Sequence, residues 1–552
     1  MGELNQEQLT ENQALQPQTE RMNAGTDGAG TMAQQPGELS VQSPQQPQTA
    51  AGGKAEDTEQ TKRMKEQFGF FGPATLLYAV FYAFCMYQNP SGITFPFFVA
   101  ASLFYLHCCL TRLGGISRKE SVFYAVSMML LAISTVCTDD ANIIFFNRIG
   151  VFLLTVSLLL DRFFDTTRWG LGKYLGSILK TVTLAIGVID RPITDAVGYF
   201  KSRTGKVGKK TAGAVVGVLI GLPVCIVVML LLSSADVLFR EYTKGLFRFF
   251  ETGDVVLVGL RVALMFFAAY SILAWLCQRQ LKEEVADKRT GEPMIAITAT
   301  SMLTALYVVF SGVQIMGLFL RKLKLPAGYT YAAYAREGFF QLLAVGFLNL
   351  VIVLFCIHRV QKSTVLNIIV TIMSLCTFVM NLSSAMRMLI YIRFYHLTFL
   401  RILVLWGLAL LTLLFVGVIV TIYKEDFRLF RYSVTVVSVM YLLLSFSHPD
   451  YLIAKYNVAK ADDAVVFTAE GDTIRPYSDF QYLCSLSADA APVLVPFLES
   501  RGIDSTVPEA ETDRGSLERY GGKWIRRMEG EAADVKLRTF NVSRYYMKRL
   551  IK

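Results

Sequence analysis

The stretch "TYAAYAREGFFQLLAV", residues 330–345, sets two tyrosines, an arginine and a glutamate directly ahead of an apolar run, and Gln341 carries polarity into that run. A guanidinium matches the paired oxygens of carboxylate or phosphate. The spacing therefore suits either an anion-binding mouth or a firmly anchored helix end. Tyr334, Glu337, Gln341 and Asn349 are separated by three, four and eight residues, so they drift along one side of a helix. Polar groups inside an apolar helix belong against protein or water rather than lipid.

Other charges sit at matching depth in their own apolar runs. Arg148 lies below Asp139 and Asp140, Arg261 lies below Asp254, and "NLSSAMRMLIYIRFYHLTFLR" supplies Arg387, Tyr391, Arg393, Tyr395 and Arg401. Arg336 and Arg387 can pair with Glu337 and Asp236 or hold an anionic head group. The ligand-lining set expected from this pattern is Tyr334, Arg336, Glu337, Gln341, Asp236, Arg261, Arg387 and Tyr391. Arginines outnumber carboxylates in it, so the ligand class is anionic. Internal ion pairs plus snorkelling side chains form the alternative that needs no ligand.

Catalytic motifs are scarce. The chain has no HExxH and no GxSxG, and its four histidines (His107, His358, His396, His448) are far apart. Eight of nine cysteines fall in apolar segments and no CxxC occurs, which reads as small buried hydrophobes. No catalytic residue, cofactor or metal is expected from these residues.

The elements that must position the polar groups are membrane helices. Hydrophobic residues make up 53% of 552, and Asp, Glu, Lys and Arg only 18%. The mean hydropathy is +0.42. Crossing a bilayer takes about 20 apolar residues, and runs such as "LIGLPVCIVVMLLL" recur along the chain. Eleven spans are expected, near 68–88, 91–111, 119–137, 142–160, 210–233, 253–277, 293–320, 339–358, 363–385, 399–423 and 430–447. Residues 171–192 carry Lys173 and Lys180 and read as an amphipathic helix on the membrane surface. Residues 234–251 read the same way, with Leu238, Tyr242, Leu246 and Phe249 on the apolar face. Gly213, Gly217 and Gly221 recur every four residues and form a ridge suited to close helix packing, followed by a kink at Pro223.

Three domains follow. Residues 1–60 carry a charge of −7 and are rich in Gln, Pro and Gly, which reads as a disordered tail. Residues 61–448 carry +18 and form the polytopic body. Residues 449–552 carry −1 and read as a small, mostly helical appendage, with Trp524, Phe540, Tyr545 and Tyr546 available for its core. No apolar run precedes Phe68, so the first span is expected to act as an uncleaved start-transfer helix. The connections on one face hold 25 Lys and Arg against 10 on the other. By the positive-inside rule the N-terminus is cytoplasmic and the appendage extracytoplasmic. The expected partners are the bilayer and an anionic lipid or other envelope component, not nucleic acid.

The segments "LLLSSADVLF", "LKLPAGYTYAAYAREGFFQLLAVGFLNL", "SSAMRMLIYIRFYHLTFLRILVLW" and "LCSLSADAAPVL" resemble bacterial polytopic membrane proteins carrying the domains of unknown function numbered 4153 and 4173. The resemblance runs from about residue 210 to the closing "FNVSRYYMKRL". It implies a bacterial cell-membrane location and an all-α integral membrane fold, and it carries no reaction. Three functions stay open: a non-enzymatic sensing or scaffolding protein of the envelope, a transporter or lipid translocator, and an enzyme acting on lipid-linked substrates. The first leads, because the chain has no catalytic motif, no convincing internal repeat and few acidic groups at mid-membrane.

Overall fold

The computed structural model describes residues 58–203, 253–319, 338–460, 480–505 and 517–551, less 90, 116–119, 167–168, 280, 282–288, 425 and 534, with a few isolated positions between these blocks. The Gln/Pro/Gly-rich tail, up to residue 57, lies outside the described residues.

A short polar helix, α1 (Glu59–Glu66), opens the chain. The first lobe of the body follows as α2 (Phe68–Met86), α3 (Thr94–Leu113), α4 (Glu120–Cys137) and α5 (Ala141–Phe163). Two shorter helices, α6 (Leu171–Leu184) and α7 (Arg191–Arg203), lead to α8 (Gly253–Cys277). A second lobe contains α9 (Pro293–Gln314), α10 (Phe339–Arg359), α11 (Thr364–Tyr395) and α12 (Phe399–Tyr423), and α13 (Leu429–Phe446) closes the body. Among the described residues, nine helices are long and apolar enough to cross a membrane, and the apolar part of α4, Ser121–Cys137, is shorter. Ten of the eleven expected spans coincide with described helices. The eleventh, 210–233, lies outside them apart from isolated positions.

The helix ends follow local chemistry. The Asp140 side chain caps α5 by accepting the Asn142 N–H at 2.8 Å, and Ser363 accepts that of Leu366 to open α11. Gly338 precedes α10 with φ of +88°, a conformation open to glycine, and a Cβ there would meet Arg387 Nη1 at 3.2 Å. The first lobe packs around Phe71, Val99, Cys109, Met128 and Leu160, joined by Tyr270 and Leu276 of α8. The second packs around Val353, Met373, Met380 and Phe415. Polar contacts tie α13 to the first lobe: Asn147 Oδ1 accepts the Tyr441 and Ser445 hydroxyls, each at 2.8 Å.

The segment read as a surface helix is a bent pair. α6 ends in a 3₁₀ turn, Ala185–Val188, and meets α7 at 51°. Its buried side faces α5 and α8. The Tyr174 ring lies 3.9 Å from that of Phe430, and the Tyr270 hydroxyl donates to Asp195 Oδ2 at 2.9 Å. Leu175, Leu179 and Ile186 on the other side are exposed.

The C-terminal region forms a separate core under one face of the body. It comprises α14 (Pro449–Val458), a two-residue ladder of β1 (Val466–Phe467) with β2 (Thr473–Ile474), then α15 (Phe480–Leu483), α16 (Ala491–Glu499), α17 (Leu517–Ala533) and α18 (Val542–Leu550). Leu494, Leu498, Trp524, Met528 and Met547 are buried in it, whereas Tyr546 is exposed. Asn541, formally a glycosylation acceptor by sequence, is fully buried. It caps α18 through Arg544 N and donates to the Thr138 carbonyl at 2.8 Å.

Candidate functional site: a two-arginine cavity

A cavity of about 490 Å³ lies between α2, α3, α5 and α8, inside the roughly 300–1,000 Å³ range of small-molecule sites. Aromatic and aliphatic side chains form most of its wall: Tyr78 and Tyr82 from α2, Phe95 and Phe98 from α3, Phe152 from α5, and Met265 and Ile272 from α8. Several polar groups of that wall have partners close by. Tyr78 Oη and Ser102 Oγ are 3.0 Å apart, Thr75 Oγ1 and Tyr105 Oη are 2.7 Å apart, and the rings of Tyr78 and Tyr105 stack at 4.6 Å.

Two cations break this apolar surface. Arg148 lies on the third turn of α5 and is exposed at the cavity edge. Arg261 projects from α8, and its guanidinium lies 5.7 Å from the ring of Tyr87. Arg261 Nη1 is buried and has no hydrogen-bond partner. Both arginines stand about 10–12 Å along their helices from the end nearest the C-terminal domain, at 1.5 Å per residue. The arrangement can receive an anion between two guanidiniums and an apolar body below it.

The residues expected to line one site are dispersed. Tyr334, Arg336 and Glu337 lie outside the described residues. Gln341 is exposed, whereas Asn349 is fully enclosed, accepting the Tyr307 hydroxyl and donating to Thr377, each at 2.9 Å. Arg387 is buried beside Gly338 at the start of α10 and donates to Gln314 Oε1 at 3.1 Å, which also accepts the Ser383 hydroxyl at 2.7 Å. Tyr391 carries the Arg401 guanidinium 4.5 Å above its ring, and Arg401 in turn bonds the carbonyls of Tyr395 and His396. That set closes the end of α11. Asp236 is exposed. Among the described residues of the expected set, Arg261 alone lines the cavity. Among the described residues nothing approaches the Cβ positions of Gly217 and Gly221, and Gly213 lies outside them.

Sequence reasoning missed a second constellation, where the C-terminal domain meets the body. Asp489 accepts the Thr138 hydroxyl at 2.5 Å, the Asp139 N–H at 2.8 Å and His448 Nδ1 at 3.2 Å. Asp139 Oδ1 receives Arg544 Nε at 2.7 Å, and Asp450 Oδ2 accepts the Ser487 N–H at 2.9 Å. Burial pushes the carboxyls of Asp139 and Asp140 up to about 7. The available signal was the placement of "DD" and "HPD" immediately beside apolar runs, where a carboxylate must find a partner.

These observations define a multi-pass, all-α membrane protein with a helical domain keyed to one face. The chain belongs to the family described as Domain of unknown function (DUF4153), whose model matches residues 125–497. The match begins earlier than the resemblance near residue 210 and ends within α16. It spans Arg148, Arg261, Asp139 and Asp489, and it stops before Arg544. No curated protein and no solved structure matches the chain.

Proposed function

We propose that the chain is a non-enzymatic sensing or scaffolding protein of the bacterial cell envelope. In this reading it holds an anionic amphiphile in the two-arginine cavity and presents the occupied state through its C-terminal domain. The observation that carries the reading is the buried Arg261 Nη1, a charged donor with no acceptor inside a membrane-spanning bundle. An unmatched charge of this kind is costly. Snorkelling toward the interface relieves Arg148 at the cavity edge but leaves the enclosed nitrogen of Arg261 unmatched. A phosphate or carboxylate head group supplies acceptors to both guanidiniums, and its chain lies along Tyr82, Phe98 and Phe152.

The route to the C-terminal domain is short. Tyr87, beside Arg261, gives its carbonyl to Arg538 Nη1 at 2.5 Å, and the next turn of chain is held by Asn89 Nδ2 bonding the Arg538 carbonyl at 3.0 Å. A shift of Arg261 onto a ligand therefore bears on the loop that anchors the domain.

The test is binding of a short-chain anionic phospholipid against its zwitterionic counterpart, using the full chain in detergent. The anionic lipid should bind more tightly. Arg261→Gln should weaken that binding by about tenfold or more, the value of a charge-assisted hydrogen bond. Equal affinity for both lipids, or unchanged affinity in a folded Arg261→Gln protein, overturns the reading.

A further inference from the structure

The junction between the C-terminal domain and the body concentrates carboxyl groups with few counter-charges. Asp139 and Asp140 come from the α4–α5 turn, Asp450 from α14 and Asp489 from the turn before α16. All four are buried. Asp140 uses one oxygen to cap α5, and Oδ2, enclosed, has no hydrogen-bond partner. Among the described residues, the cations that face the group are Arg544 on Asp139, His448 on Asp489 and Arg527 toward Asp450. Arg544 is shared with Glu531 at 3.7 Å. Tyr441, Tyr482 and Cys137 are the remaining titratable neighbours, with Arg401 behind Tyr482. Among the described residues no three His, Cys, Asp or Glu side chains converge to hold a metal ion.

The same surface does the mechanical holding. Phe540 accepts the Ile93 N–H at 2.9 Å, Asn541 donates to the Thr138 carbonyl, and Ser543 donates to that of Cys137 at 2.7 Å. These bonds pin the α2–α3 and α4–α5 turns together. We infer that the C-terminal domain is an acid-tightened clamp, in which protonation of Asp139, Asp140 and Asp450 strengthens its grip on those two turns.

The titration supports the direction. Burial raises Asp139 and Asp140 to about 7 against the pull of Arg544 on Asp139 and backbone bonds on Asp140, and burial also raises Asp450. The hydrogen bond to Asp489 raises His448 above its ordinary value. Each group binds its proton more tightly in the docked state than in the exposed one. Docking is then strongest below the ordinary carboxylate range. It weakens as pH climbs from about 4 to about 7, and His448 adds a loss as pH passes its raised value. All four groups act with the same sign.

The experiment is hydrogen exchange on the full chain in detergent at pH 5.5 and pH 8, corrected for intrinsic rates, read at Asn541–Leu550 and at Ser91–Thr94. Protection of both segments should be roughly tenfold or more greater at pH 5.5. Asp140→Asn keeps the helix cap, because asparagine caps as well as aspartate, and removes the charge. It should bring protection at pH 8 toward the value at pH 5.5. Equal protection at the two pH values in the unsubstituted chain, or an undiminished pH response in Asp140→Asn, overturns the clamp. If Asp140→Asn loses protection throughout the membrane helices, Asp450→Asn is read by the same two criteria.

Discussion

Asn349 and Arg261 show two ways in which a membrane helix handles polarity. Asn349 is fully enclosed, and both ends of its amide are matched, to Tyr307 and to Thr377. Its place is structural. Asn349→Leu removes the acceptor of the Tyr307 hydroxyl, while Thr377 keeps its own bond to the Met373 carbonyl at 2.8 Å. Stability in detergent should fall by about 1 kcal/mol, and adding Tyr307→Phe should return part of the loss. A double-mutant unfolding series that is strictly additive would show that the hydrogen bond is not formed. Arg261 is the contrasting case, since its Nη1 has no partner. Sequence alone marked both residues as polar in apolar runs. It could not separate them, because the difference lies in partners 42 residues away for Asn349 and in a cavity wall from four helices for Arg261.

At the scale of elements, the apolar runs located the helices well, since length and uniform hydropathy are local properties. α11 was expected to stop at 385 and instead runs to Tyr395. The polar stretch near that end is buried: Ser383, Ser384 and Arg387 face α9 and α10, where Gln314 and the Phe339 carbonyl receive them, and Asn381 donates to Thr412 of α12 at 3.3 Å. Hydrophobicity counts lipid contacts and is blind to such matching. Helix contacts also distinguish glycines that look alike in sequence. On α12 a Cβ at Gly417 would fall 2.3 Å from the Tyr432 ring, whereas one at Gly407 meets nothing within 4 Å. Tyr432 is held there by its bond to the Leu413 carbonyl at 2.8 Å. Gly417→Val should therefore lower unfolding stability by about 1–3 kcal/mol through overpacking, and Gly407→Val should leave it nearly unchanged. Equal effects in thermal unfolding would mean that α12 and α13 do not approach as described.

For the whole molecule, the loops sort onto two faces. The C-terminal domain contacts Asn89, Ser91, Ile93, the Thr138–Asp139 turn, Leu397 and His448. On the opposite face, α1 meets the end of α8 through Thr58 and the Cys277 carbonyl, and Tyr174 of α6 meets Phe430. This alternation follows from contacts and does not depend on charge. It also requires the chain to change face between α7, where Tyr199 lies against Phe68, and the start of α8, where Arg261 lies beside Tyr87. Residues 210–233, where the sequence leads one to expect a span, lie outside the described residues apart from isolated positions. Which face is cytoplasmic rests on a separate quantity, the 25-to-10 excess of Lys and Arg on the face away from the C-terminal domain. Two fusions separate these points. A reporter active only outside the cytoplasm should be active after Lys552 and inactive when inserted at 425, between α12 and α13. Activity at both positions, or at neither, would break the alternation itself. A clean reversal would keep the fold and the two-faced arrangement and sink the charge-based orientation, placing the carboxyl junction on the cytoplasmic side.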